Sequence, residues 1–260
     1  MFFCFFAKSR TNNKMNKFAK AIAAIMLIVA TIIAAGCTKP DEPNNGGNNN
    51  GQNDTIVNDD LLNGHEYVDL GLPSGTLWAI CNVGAETAEE LGDYYAWGET
   101  QTKGTYSWGF YWFCANDYNQ LTKYCSNSNF GYNGFMDNLQ SLLLCDDVAN
   151  SNWGSGWRIP TKTQWEELCQ NTTQIWMAKN GINGRLFTAP NGNSLFLPAA
   201  GGYNGSDTYG VGYSGNYWSS LLDTDYPDNA WFLIFFADDY GINSHSRCIG
   251  RSIRPVCTVK

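Results

Sequence analysis

Apolar residues are distributed along this chain in three regimes. AIAAIMLIVATIIAA, residues 21–35, is an unbroken apolar run. Residues 38–60, TKPDEPNNGGNNNGQNDTIVNDD, hold almost no apolar side chains. From residue 64 onward, short apolar clusters alternate with turn residues. HEYVDLGLPSGTLWAICNVG reads as strand, turn and strand, reversing at Pro73-Ser74-Gly75. TAEELG reads as a short helical turn closed by Gly92. In TKTQWEELCQN, residues 161–171, Trp165, Leu168 and Cys169 recur at i, i+3 and i+4. Pro160 precedes them and Thr161 and Gln164 have capping-box spacing, so this segment predicts a helix. RLFTAPNGNSLFLP predicts a hairpin turning at Pro190-Asn191-Gly192-Asn193. NYWSS, NAWFLIFF and CIGRSIRPV predict the last three strands, with NAWFLIFF, the most apolar, in the centre. Residues 100–134 are rich in Tyr, Trp, Asn and Gly without periodicity and predict long loops pinned by buried aromatics.

GGYNGSDTYGVGYSGNYWSS, residues 201–220, lies between two of these core elements, LFLPAAG and NYWSS. Its ends are held close to the core, so it is expected to be an ordered surface and not a linker. Tyr offers large contact area at low entropic cost, while Ser, Gly and Asn offer adaptable hydrogen bonds, as in antibody loops. The same composition recurs at 223–229 and 238–251.

The start of the chain has a different purpose. Lys14, Lys17 and Lys20 precede the apolar run, which is too short for a comfortable membrane span and has the layout of a secretory signal. Met15 is an alternative start for that signal. Ala34-Ala35-Gly36-Cys37 resembles a bacterial lipobox, which implies cleavage after residue 36 and lipidation of Cys37. Residues 37–63 then read as a disordered tether, and 64–260 as the folded domain. Lys39, Asp41 and Glu42 resemble the surface-export signal of Bacteroides-type lipoproteins, so the expected location is the outer membrane, lipid-anchored and facing outward.

Charge narrows the partners. Residues 1–36 hold five of the 16 basic residues and none of the 24 acidic ones, which leaves 11 against 24, formally −13. Such a chain repels a polyanion, so nucleic acid is not an expected partner. Beyond Cys37 there are seven cysteines, 81, 114, 125, 145, 169, 248 and 257, and no CxxC pair. A zinc cluster is therefore not expected.

YVDLGLPSGTLWAICNVGAE, GDYYAWGET, NWGSGWRIPTKTQWEEL, NGNSLFLPAAG, YWSS and GRSIRPV occur in that order over residues 65–258. Together they resemble the Fibrobacter succinogenes major paralogous domain of Bacteroides-type lipoproteins. That family is similar in fold to C-type lectins and to the formylglycine-generating enzyme. The resemblance implies an α+β class: small twisted antiparallel sheets, one or two short helices and long irregular loops. It also implies a structural Cys169–Cys257 bridge from helix to last strand, and C-terminal segments diversified by a retroelement that rewrites adenines. Fold alone does not settle function.

Catalytic chemistry is thinly represented. Only His65 and His245 follow Cys37, too few for a three-His metal site, and neither sits in a nucleophile-elbow context. His65, at the start of the domain, is expected to be solvated, and His245 to be a ligand contact. Asp146-Asp147 and Glu166-Glu167 are adjacent pairs whose carboxyls point apart, unlike a glycosidase pair. Asp223, Asp225 and Asp228 form an oxygen-rich loop that could suit calcium, although a solvated acidic loop is the simpler reading and no cofactor is expected. The expectation is thus a non-enzymatic, adhesin-like binder of an extracellular glycan or protein. Its contact set is Tyr203, Asn204, Asp207, Tyr209, Tyr213, Asn216, Asp225, Tyr226, Asp239, Tyr240, Asn243 and His245. A formylglycine-generating-type enzyme and a structural envelope or fimbrial component are the alternatives.

Overall fold

Small antiparallel sheets and few helices organise residues 61–258, the part of the chain that the computed structural model describes. The signal, Cys37 and most of the expected tether lie outside the described residues. β1 (Leu61–Leu62), β2 (His65–Asp69) and β3 (Leu77–Ala79) begin the first sheet, and β12 (Val256–Cys257) returns beside β3 to complete it. Gly75 N–H donates to the Leu72 carbonyl at 2.9 Å, closing the expected reversal. Folded structure therefore starts before residue 64. Leu61 and Leu62 pair with β2, and Trp157 Nε1 donates to the Leu62 carbonyl.

β4 (Thr173–Lys179), β5 (Ile182–Thr188) and β6 (Ser194–Pro198) form a second sheet. A third has the order β11-β10-β9, from β9 (Gly215–Leu222), β10 (Asn229–Phe235) and β11 (Tyr240–Ser246). β10 is central, as its apolarity predicts. It separates two clusters by strand alternation. Trp218 and Phe232 face one cluster with Trp97 and Trp157. Tyr217, Leu233 and Phe235 face the other with Trp78, Trp165 and Phe187.

The helices are α1 (Val148–Trp153) and α2 (Lys162–Asn171). α2 starts where the capping box predicts: Thr161 Oγ1 accepts from Gln164 N–H, and the Gln164 side chain accepts from Thr161 N–H. Trp165 and Leu168 supply its buried face. The adjacent carboxylates do structural work. Asp147 caps α1 by accepting from Ala149 and Asn150 N–H and also accepts from Ile159 N–H. Asp146 holds Lys123 at 2.5 Å. Glu167 accepts from the backbone and side chain of Ser74.

Several expectations are corrected. TAEELG forms turns and no helix, and Glu90 instead accepts from the Glu86 backbone. CIGRSIRPV is strand only at β12, with isolated bridges at Arg251 and Ser252 before it. Its regularity is spent on burying Arg251 and Arg254. The Cys169–Cys257 bridge does not form, and every cysteine among the described residues is a free thiol. Cys169 packs against the Trp165 cluster and Cys257 sits in the Trp157 cluster, so the two sulfurs serve different parts of the core. His65 is not simply solvated. Its ring stacks on Trp153 at 3.9 Å between centroids.

Candidate ligand-binding surface

The Gly-Tyr segment folds into a hairpin, β7 (Gly202–Asn204) with β8 (Asp207–Tyr209). Gly205, Gly210 and Gly212 take positive φ at its bends, a region that costs glycine little. Tyr203 is half-buried and anchors the hairpin. Its ring packs on Tyr94 and Tyr106, and its backbone N–H and carbonyl both bond Gly250. Asn204, Asp207 and Tyr209 are exposed, and Tyr213 is the most open of the tyrosines at 79%. Asn216 is removed from the contact set because it is only 3% exposed. Its Oδ1 accepts from Arg251 and its Nδ2 donates to Ser214 Oγ. Short polar residues next to tyrosine do not reveal which will be consumed by an internal arginine.

Strand pairing divides the remaining residues. Asp225 and Tyr226 lie in the β9–β10 turn, and His245 is near that end, opposite Ala230. Asp239 lies in the β10–β11 turn at the far end, and Tyr240 begins β11 there, paired with Phe235. Seven paired residues, about 20 Å of strand, separate the ends. Tyr240 and Ile242 also project to the opposite face from Asn243 and His245. Residues 238–251 are thus an edge strand followed by a buried turn and not one surface loop. Arg247, Cys248 and Arg251 are buried.

The turn at 223–228 is the best-built part of this surface. Asp223 is buried, and its carboxylate accepts from the backbone of Asp225 and Tyr226 and from Ser244 Oγ. Of Asp223, Asp225 and Asp228, expected to form a solvated acidic loop, Asp223 is thus buried and shapes the turn. Among the described residues no group of His, Cys, Asp or Glu is arranged to hold a metal. Burial pushes the Asp228 carboxyl above its ordinary range.

Arg247, fully buried and missing from the expected set, joins this turn to a second loop. It donates to the carbonyls of Lys123, Tyr124 and Pro227 at 2.6, 2.7 and 2.9 Å, with its guanidinium over Trp97 and Tyr111. Asp137 braces the second loop from the other side by accepting from Tyr124 and Cys125 N–H. Ser126 Oγ donates to the Thr224 carbonyl. Between the loops is a cleft of about 560 Å³ lined by Ser126, Asn127, Ser128, Met136, Thr224, Asp225 and Tyr226. Tyr226 is 60% exposed at its wall. The cleft combines hydroxyl and amide groups with one aromatic and one thioether face. Such a mixture suits a polar ligand with apolar edges.

A buried ion pair holds a third loop. Glu99 bonds Lys103 at 2.5 Å and accepts from Trp112 N–H, while Lys103 Nζ donates to the Phe110 carbonyl. Phe110 and Trp112 therefore point outward on a fixed backbone, and both are exposed. All four of Trp157, Trp165, Trp218 and Trp231 are expected in the core from their places in apolar or family-like segments; the first three are, whereas Trp231 is half-buried beneath Lys162 Nζ at 3.6 Å.

Three of the thiols, Cys169, Cys248 and Cys257, are poorly disposed to react. Burial pushes Cys169 and Cys248 up to about 12 and Cys257 up to about 11. No helix among the described residues is long and apolar enough to cross a membrane. No family model, curated protein or solved structure matches the chain.

Proposed function

We propose that this chain is a lipoprotein, anchored to the outer membrane through Cys37, whose C-type-lectin-like domain binds an extracellular glycan or protein without transforming it. The observation that carries this reading is the clamped cleft beside Tyr226. A buried guanidinium, Arg247, and two buried or half-buried carboxylates, Asp223 and Asp137, hold two irregular loops in one shape. Ordering entropy is thereby spent at folding and not at binding, which favours affinity. Tyr226 supplies the kind of rigid aromatic anchor that dominates contact energies.

The test is a binding screen of the intact chain against glycans and whole cells, with Tyr226→Ala beside it. The expected result is saturable binding that Tyr226→Ala weakens at least tenfold while the thermal transition stays in place. Absence of any ligand, or binding indifferent to Tyr226→Ala, rejects the reading. Diversification of the C-terminal segments belongs to the same proposal. A near-copy of the coding end, differing only at adenines, should vary codons for exposed positions such as Asp239, Tyr240, Asn243 and His245. It should spare those for buried Arg247 and Arg251.

A further inference from the structure

β4 is the outer strand of the β4-β5-β6 sheet, and among the described residues no strand pairs with its far side. Register fixes which of its backbone groups face that side. Ala189 N–H donates to the Asn193 carbonyl at 2.9 Å and Ala199 N–H to the Asn183 carbonyl at 2.8 Å. These bonds bracket the β5–β6 ladder, so odd-numbered residues of β5 bond β6 and even-numbered ones bond β4. The even-numbered residues Ile182, Gly184, Leu186 and Thr188 are opposite Lys179, Met177, Ile175 and Thr173. The N–H and carbonyl groups of Gln174, Trp176 and Ala178 therefore point away from the sheet. No backbone bond from the rest of the described fold reaches them.

An open edge is a template for another strand, and folded chains ordinarily blunt it with proline, a bulge or charge. β4, TQIWMAK, has neither proline nor bulge, and its one charge, Lys179, is at the end and paired with Glu89. β11, the edge of the third sheet, is by contrast polar at Asn243, Ser244, His245 and Ser246. One face of β4 is apolar and open. Ile175 is 60% exposed, and Met177 and Ile182 are exposed beside it. On the opposite face half-buried Trp176 meets Phe235 of the core edge-on.

We propose that β4 pairs antiparallel with β4 of a second copy of this chain, joining two three-stranded sheets across a twofold axis at Trp176. The strand selects that occupant because it is complementary to itself in this register. Trp176 is opposite the partner's Trp176 and Gln174 opposite the partner's Ala178, so each outward N–H meets an outward carbonyl. Ile175 is opposite the partner's Met177 in the closer, non-hydrogen-bonded positions, and the exposed apolar side chains cover one another at both ends. Thr173 is opposite the partner's Lys179, so the two lysines do not face each other. A shift by two residues shortens the pairing and leaves Met177 opposite Thr173 or Ile175 opposite Lys179. None of the residues lining the cleft beside Tyr226 is on β4, so the pairing does not use it.

The experiment is light scattering of the intact chain from about 1 μM to about 1 mM, with amide exchange measured at both ends of the series. A reversible monomer–dimer equilibrium is expected. Exchange at Gln174, Trp176 and Ala178 should slow at least tenfold in the dimer, while Ile175 and Met177, already bonded to β5, change little. Ile175→Lys and Met177→Glu, both at exposed positions, should each raise the dimer dissociation constant at least tenfold with the thermal transition in place. Mixing the two variants should restore the dimer, because the new cation of one chain then faces the new carboxylate of the other. Should either variant fail to fold, the exchange pattern of the unaltered chain decides alone. A chain that stays monomeric throughout, leaving the edge to a strand of some other protein, overturns the proposal. So does a dimer indifferent to both substitutions, one not restored by mixing, or one that leaves exchange at Gln174, Trp176 and Ala178 unchanged.

Discussion

His65 lies flat on Trp153, 8° from parallel, with Trp157 edge-on at 6.3 Å. Burial lowers its pKa below the ordinary value, since the charged form is poorly hydrated there. A base whose folded pKa is depressed contributes stability that is present above its unfolded pKa, about 6.5, and lost as pH falls through the folded value. Wild-type protein should therefore lose stability relative to His65→Phe as pH falls from 7.5 to 5, measured by urea unfolding of both. A difference that is flat with pH would contradict the assignment. The stacking was not legible in the sequence because Trp153 is far from His65 along the chain. Cysteine behaves similarly. Only Cys145 among the seven described cysteines is classed as exposed, and burial raises the pKa of the other six. Brief alkylation of native protein should modify Cys145 first, and peptide mass mapping should find Cys169 and Cys257 labelled only after unfolding. A Cys169–Cys257 linked peptide in unreduced protein would refute the free-thiol state.

Local signals succeeded where one element contains its own explanation. The capping box of α2, the Pro73–Gly75 reversal and the Pro190–Asn193 turn all lie where the residues predict. Thr161→Ala should cost about 1 kcal/mol, the usual value of a lost cap, and Thr161→Ser should restore most of it. Equal stability of the two variants in chemical denaturation would mean that the cap contributes nothing. β4 and β11 were missed for opposite reasons. β4, TQIWMAK, follows the helix directly without a turn signal, and β11, YGINSHS, is polar enough to read as loop. β11 is an edge strand whose backbone is satisfied by β10, so its side chains need little apolarity. TAEELG failed in the reverse direction, because helix-forming residues over so short a span cannot offset the cost of nucleation.

Across the molecule, buried arginines join distant segments. Arg247 reaches residues 123, 124 and 227, and Arg254 reaches 79, 80 and 82. Arg247→Ala leaves three interior carbonyls unpaired and should cost about 3 kcal/mol or more. Amide exchange should accelerate at 125–128 and 224–228 more than in α2. Uniform acceleration instead would show a general brace and no specific hold on the cleft.

Apolar pattern, capping and turn chemistry determined the position of α2, the central place of β10 and the reversals at Pro73–Gly75 and Pro190–Asn193, because each depends on neighbours within a few residues. The tertiary structure alone decided which tyrosines face outward, that Asn216 and Asp223 serve the interior, and that the expected contact set divides between two ends of one sheet. Those outcomes depend on long-range register and on how each buried guanidinium finds its oxygens, and neither is encoded in spacing along the chain.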